Sequence, residues 1–329
     1  MSVRSVMIAW VSFQRRADVM KEFWEYSDYY ITTKFRHKLL KPLDYLIKII
    51  KTINILAREK PDVVWMQLPP TFMVFVGIAY KRLRRNSVFL IGDFHNSALR
   101  PKWFNFPFVR SALNRIDILV AHNEQVKTEL IYKGINKKNV FVLEDMPFSY
   151  STGNSVPVKN TILFPCSFDV DEPLDVVLCA AKELPHITFN ITGNHNGKIS
   201  PDVIKLAPDN VIFTGYLTKK AYDDLFLSSS VILGLTTRDN VQLSVSNEAL
   251  SADKPMVLSD TTTLRNLFGD AAIFVESLDA KSISMGCVYA VEHTQELHVK
   301  TKILKSERKN RWKYQAEKIK RKITDFNAI

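Results

Sequence analysis

Short β-branched and apolar runs alternate along the chain with stretches whose apolar residues recur at helical spacing. That alternation is the pattern of serial βαβ units around parallel sheets, an α/β fold. In the first half, strands are predicted at 6–11, 29–32, 62–67, 87–92, 116–121 and 139–143. Residues 41–59, 71–85 and 124–134 carry the helical period between them, with Gly134 as a C-terminal stop. The pattern breaks at 147–160, PFSYSTGNSVPVKN, which has turn-forming residues and no periodicity, so the interdomain linker is placed there. It resumes with strands at 161–165, 187–192, 210–214, 230–235, 255–259 and 272–275, and a basic helix is predicted over 300–326. The organisation expected is two Rossmann-like domains, 1–148 and 149–300, facing across a cleft. Open parallel sheets bind ligands at the carboxyl ends of their strands, so such a cleft would hold two substrates.

At 329 residues, 46% hydrophobic and 24% charged, the chain suits two globular domains better than one. Cys166, Cys179 and Cys287 form an odd set without metal-ligand spacing, which argues against a disulfide framework or structural zinc and for a reducing, cytoplasmic compartment. The opening MSVRSVMIAWVSFQRR has no small-residue cleavage site and reads as a first buried strand. The longest apolar stretch, 71–80, is about half of what spans a bilayer.

The net charge of +11 is unevenly spread: +11 over 1–150 (24 Lys and Arg, 13 Asp and Glu), −7 over 151–300 (11 and 18) and +7 over 301–329 (10 and 3). Without a nucleic-acid motif, a basic half of this kind fits an anionic membrane face or a pyrophosphate-linked acceptor, or a solvated face that keeps the protein in solution.

The candidate chemistry concentrates in the second half. From Pro208 a strand ends at Gly215, an acidic helix and a strand follow, and a loop rich in Asn and Ser leads to a helix opening near Asn247 and Glu248. Unpaired N–H groups and positive partial charge make such a junction an anion site, to which Ser244, Ser246 and Asn247 add donors.

This order of elements resembles glycosyltransferase family 4 and its GT-B relatives. Phe213-Thr214-Gly215-Tyr216-Leu217 and the run from Glu248 to Val257 match the family's nucleotide-sugar phrase, and Thr192-Gly193-Asn194 resembles its glycine turn. In the first half, Gln67-Leu68-Pro69-Pro70 and Asp93-Phe94-His95-Asn96 resemble the "QNPP" and "DWHN" of β-mannosyltransferases acting on dolichol-linked chitobiose. The resemblance implies a donor site at Gly193, Asn194, Gly215, Tyr216, Asn240, Ser244, Ser246, Asn247 and Glu248. It also implies a terminal helix, 301–329, that packs back on the N-terminal domain. The sequence departs from the family in three places. Asn240 stands where the first of the paired glutamates falls, which leaves the stereochemical outcome open. Ser167 to Glu172 replaces the usual Arg and Lys after the first strand of the second domain, with Lys254 or Arg265 as substitutes. Residues 10–16 stand where a glycine-rich loop is usual.

Several of these residues carry a plainer reading as well. Glu248 accepts from ribose hydroxyls or only favours a helix dipole. His95 contacts the acceptor or transferred sugar, acts as a base, or caps the next segment. Asp93 is an acceptor base or bonds its own loop. Asn123, after His122, reads as an N-cap. Asp169-x-Asp171 is read as an acidic loop rather than a metal site. The 41–59 helix lies on a membrane surface or faces the core with its lysines outside.

The function expected is transfer of a sugar from a GDP- or UDP-linked donor to a glycan or polyprenyl-linked acceptor, in bacterial surface-polysaccharide (capsule) synthesis. His95 and Asp93 are the candidate catalytic residues. No metal, cofactor or nucleic acid is called for, and the location expected is cytoplasmic, peripheral at the inner face of the cell membrane. The rivals are a nucleotide-sugar epimerase of the same architecture, against which the sparse set of titratable residues argues, and a non-catalytic partner subunit.

Overall fold

The computed structural model describes residues 3–33, 35, 38–150 and 158–327, so half of the predicted linker, 151–157, lies outside the described residues. The chain divides into two compact units, Met1–Met146 with Asn310–Ile329, and Pro147–Lys309.

The first unit is built on β1 (Ser5–Ala9), β2 (Ser27–Tyr30), β3 (Val63–Leu68), β4 (Phe89–Phe94), β5 (Ile118–Ala121) and β6 (Val140–Val142), all parallel in the order β2-β1-β3-β4-β5-β6. Both faces of this sheet are covered, and β3 and β4 are buried at every position. That is why VVWMQL and FLIGDF read as nearly unbroken apolar runs instead of alternating. The two polar interruptions, Gln67 and Asp93, are register partners at the carboxyl ends of neighbouring strands. On one face pack Val64, Met66, Leu90 and Leu119. On the other, Trp65, Ile91 and Val120 meet Ala17, Met20 and Trp24 of the Arg15–Trp24 helix. Trp312, Ala316 and Ile319 belong to that second core as well.

The second unit repeats the plan with β7 (Val158–Pro165), β8 (Thr188–Thr192), β9 (Val211–Gly215), β10 (Ser229–Gly234), β11 (Met256–Ser259) and β12 (Ile273–Val275). These strands are parallel, in the order β12-β11-β10-β7-β8-β9. The order reverses beside β7, so the loops after β7 and β10 flank the crevice where doubly wound sheets take ligands.

The α/β class and its two Rossmann-like units are as expected, and every predicted strand is present with ends within three residues. The Lys41–Glu59 helix has the predicted bounds. Asn123 caps the Glu124–Tyr132 helix, its Oδ1 accepting from the Val126 N–H at 2.8 Å. The final helix is longer than its charge pattern suggested and runs Thr294–Asn327. The Arg15–Trp24 helix was not foreseen, although Ala17, Met20 and Trp24 recur at helical spacing. No described helix is long and apolar enough to cross a membrane.

Candidate functional site

Asp93 is the last but one residue of β4, and His95 follows the strand directly. The backbone N–H of His95 donates to the Leu68 carbonyl at 2.9 Å, which fixes the departure of the loop from the sheet edge. The Asp93 side chain is fully buried, and burying a lone carboxylate is costly. Arg16 resolves this: its Nε donates to both carboxylate oxygens, at 3.2 and 3.3 Å. The remaining guanidinium nitrogens donate to the Glu144 carbonyl at 2.8 Å, the Asp145 carboxylate at 2.6 Å and the Leu143 carbonyl at 2.7 Å. Arg16 thus ties the ends of β4 and β6 to the helix after β1.

Two imidazoles complete the cluster. His122 Nε2 lies 3.3 Å from one Asp93 oxygen and His95 Nε2 lies 3.5 Å from the other. The rings are 4.3 Å apart at 65°. His95 Nε2 is also 3.2 Å from the Gln14 amide nitrogen. One ring nitrogen can accept from Gln14 or donate to Asp93, but not both at once, so His95 has two alternative bonding states here. Its side chain is 19% exposed against 8% for His122 and none for Asp93. Solvent or a substrate therefore reaches the cluster through His95.

Burial alone would raise the Asp93 carboxyl, but the Arg16 charge, with hydrogen bonds from His122 and His95, outweighs it and holds it well below the usual range. Burial, reinforced by Arg16, pushes His122 down to about 4, so it is an uncharged imidazole at neutral pH. Burial likewise opposes the Arg16 charge, which Asp93 and Asp145 more than restore. One nitrogen of each imidazole and one oxygen of Asp93 lie within 4.8 Å of one another, close enough to share an ion. Arg16, however, already puts a buried positive charge on that carboxylate. A divalent ion beside it would meet direct repulsion at low dielectric, and the donor set does not fit a metal while Arg16 is paired.

Two further groups stand at this edge. Among the described residues, Gln67 Oε1 and Asn123 Nδ2 are buried without a hydrogen-bond partner. Each is the next residue along, or the register partner, of a cluster member. An unmet buried polar atom costs about 1–3 kcal/mol unless water or a ligand satisfies it.

In the second unit the predicted residues gather at the carboxyl edge, with corrections. Gly193 directly follows β8 at φ +147°, and a Cβ there would lie 1.9 Å from the Cys166 carbonyl oxygen, so only glycine fits. Its N–H donates to the Gly215 carbonyl at 3.0 Å. Asn194 is exposed and its Oδ1 accepts from the Asn196 N–H at 3.2 Å. Tyr216 and Asn240 are exposed. The helix opens at Ser244, not near Asn247, and runs Ser244–Ser251. Asn247 is half-buried in its first turns. Glu248 therefore sits in the second turn, beyond the reach of the dipole argument; its carboxylate instead accepts from the Tyr222 hydroxyl at 2.8 Å. Ser246 is buried and its hydroxyl donates to the Leu243 carbonyl at 2.6 Å, so it is not a donor for an anion at that junction. Ser244 is exposed at the opening turn.

Lys254 is not at this edge. It precedes β11, and its ammonium donates to the Ser229 and Leu227 carbonyls where β10 begins. Burial pushes it down to about 8. Arg265 is paired with Asp260, Nη2 to Oδ2 at 2.5 Å. The sequence reading missed Arg238, whose Nη2 lies 3.1 Å from Asp171. Asp171 also accepts from the Thr236 hydroxyl at 3.1 Å. This pair bridges the loops after β7 and β10, at the point where the strand order reverses. Asp169 instead pairs with Lys198 at 3.5 Å, so the two aspartates of the D-x-D serve different cations.

No family model matches the chain, and no curated protein sequence matches it. Solved structures do. HepE (Alr3699) of Anabaena, solved with UDP-glucose, matches with a TM-score of 0.71 at 12% identity, over 97% of this chain and 100% of that one. Sucrose-phosphate synthase from Thermosynechococcus elongatus matches at 0.70 and 13%, over 99% and 100%. The fold is GT-B. A Listeria monocytogenes protein assigned as a UDP-N-acetylglucosamine 2-epimerase also matches, at 0.61 and 13%, over 91% of each chain. The GT-B architecture is thus common to this chain, to transferases and to an epimerase, and at such identities the likeness is one of fold.

Proposed function

We propose that this GT-B protein is a glycosyltransferase that moves a sugar from a UDP- or GDP-linked donor to a glycan or polyprenyl-linked acceptor. The likeness of its motifs to glycosyltransferase family 4 and the chitobiose β-mannosyltransferases supports that choice over other reactions on the same fold. The observation that carries it is the placement of polar groups: the buried ones of the first unit and the donor-type loops of the second each collect at the carboxyl edge of a parallel sheet.

In this reading the donor lies at the edge of the second unit. Glu248, oriented by Tyr222, accepts from the ribose hydroxyls, and the opening turn at Ser244 faces the diphosphate with its N–H groups. Arg238 supplies the cation that Lys254 cannot. Gly193 and Gly215 let the backbone approach the ligand. The acceptor belongs to the first unit, where His95 meets the attacking hydroxyl and Asp93 positions the imidazole. Catalysis comes from orientation and from stabilising the departing nucleotide diphosphate, without a metal. A polyprenyl-linked acceptor would bring the protein to an anionic membrane in surface-polysaccharide assembly. HepE was solved with UDP-glucose, which makes UDP-sugars the first donors to try.

The test is a thermal-shift panel of UDP- and GDP-sugars followed by nucleotide release with and without acceptor. A ligand at 100 times its dissociation constant stabilises by about 2.7 kcal/mol. A panel in which no nucleotide raises the melting temperature sinks the proposal. The epimerase reading draws on the Listeria match and on the cluster of Asp93, His95 and His122, a richer titratable set than the sequence suggested. It predicts interconversion of the donor sugar with no acceptor present.

A further inference from the structure

The Lys41–Glu59 helix has two apolar faces, not one. Thr52 and Leu56 are buried, and Tyr45, Ile49 and Ile55 pack against the core of the first unit. Leu43, Leu46, Ile50 and Ile53 are not part of that core and are 43 to 51% exposed. At about 100° per residue these four fall within an arc of about 80°, one continuous outward stripe. Leu39, in the turn before the helix, extends it and is 82% exposed. Solitary exposed leucines need no explanation, but an aligned row of four along a single helix does.

We propose that this stripe seats in the interfacial layer of an anionic lipid bilayer. The charge around it argues for lipid over a second copy of the chain. Lys51 and Arg58 are exposed on the same helix, about 80° and 60° past Leu43 at the edge of the stripe. The first unit carries 30 Lys and Arg against 15 Asp and Glu, a net +15, while the second carries 15 against 19, a net −4. Two such units brought together would set +15 against +15, whereas phosphate headgroups neutralise that charge. A helix with apolar residues on one side and lysines beside them lies in the plane of a membrane, held by buried apolar area and by attraction to anionic lipid. The inference deepens the membrane contact proposed above and rests on it, but it does not need the transferase activity.

The experiment is co-sedimentation with phosphatidylcholine vesicles with and without phosphatidylglycerol, using the full chain and no donor or acceptor. The variant is Leu46→Gln with Ile50→Gln, which removes apolar surface without changing charge, at positions that the fold leaves half exposed. Leu46→Ser with Ile50→Ser serves as a second version should the first fail to fold. The expected result is binding to the phosphatidylglycerol vesicles and at least a tenfold rise, in the variant, in the lipid concentration for half-binding, with an unchanged melting temperature. Three results overturn the inference. The native chain stays in the supernatant with anionic vesicles; the variant binds as the native chain does, so that charge alone acts; or sedimentation velocity shows a native dimer that the variant splits. Nucleotide-induced thermal shifts, measured on the same samples, report on the transferase reading separately.

Discussion

The Arg16 Nε lies 3.2 Å from the Asp93 carboxylate, with the arginine side chain 4% exposed and the aspartate completely buried. Removing one partner of such a pair leaves the other charge buried and uncompensated, at a cost of about 3–5 kcal/mol. Arg16→Met should therefore lower the unfolding free energy by that amount, read from urea denaturation with an unchanged m-value. A loss under about 1 kcal/mol would mean that water reaches Asp93 and the pair is not buried.

His122 gives the fold a pH dependence whose sign follows from its depressed pKa. Its ordinary value is about 6.5 and the folded value is about 4. Between the two the unfolded chain binds the extra proton, so stability is complete above pH 6.5 and falls as the pH drops towards 4, by about 3 kcal/mol in all. Asp93, held below its normal range, loses its own contribution only at still lower pH. The melting temperature should decline from pH 7 to 4.5, and His122→Asn should flatten that decline. An equal slope in the variant would place the titration elsewhere.

His95 is the exposed member of the cluster. His95→Ala should depress turnover at least a hundredfold while leaving donor affinity within about twofold, because a general base acts in the transition state. Equal losses in donor binding and turnover would put His95 at the donor instead.

Glu248 and Tyr222 should behave unequally. Glu248→Ala removes hydrogen bonds to a charged acceptor, each worth about 1.5–3 kcal/mol, so donor affinity should fall at least tenfold in calorimetry. Tyr222→Phe leaves the carboxylate in place but unoriented, and should weaken the donor by less. Native affinity in Glu248→Ala would remove it from the ribose.

Gly193 and Gly215 both have positive φ, but only one is crowded. A Cβ at Gly193 collides with the Cys166 carbonyl, and at Gly215 it meets nothing within 4 Å. Gly193→Ala should cost roughly 3 kcal/mol or more, and Gly215→Ala about 1–2 kcal/mol. Equal melting temperatures for the two would contradict this backbone geometry.

The strands were legible because a parallel sheet covered on both faces leaves long apolar runs, and Asp93 stood out through the resemblance of Asp93-Phe94-His95-Asn96 to the DWHN of the β-mannosyltransferases. The sequence was silent on what meets the Asp93 charge. Arg16 lies 77 residues away, and an arginine beside Arg15 carries no mark of burial. His122 looked like a neighbour of the Asn123 cap, and only the register of β4 with β5 brings it to Asp93. Ser246 and Lys254 misled for the same reason: whether a hydroxyl or ammonium faces a ligand or a backbone carbonyl depends on packing, not on spacing. Arg238 and Asp171 are 67 residues apart, and their pairing follows from the reversal of strand order beside β7.

The last helix gives the two units different histories on the ribosome. Pro147–Lys309 is one unbroken segment, whereas the first unit draws on residues 310–329 as well. Trp312, Ala316 and Ile319 lie beside Trp24 and Trp65, and Trp312 meets Trp24 at 6.4 Å and Phe23 at 4.9 Å. The half of the chain made first is thus finished last. Until those turns emerge, the face bearing Trp24 and Trp65 waits uncovered while the second unit already has every residue of its own. A stop codon at position 310 would strand a core laid down before the second unit was made.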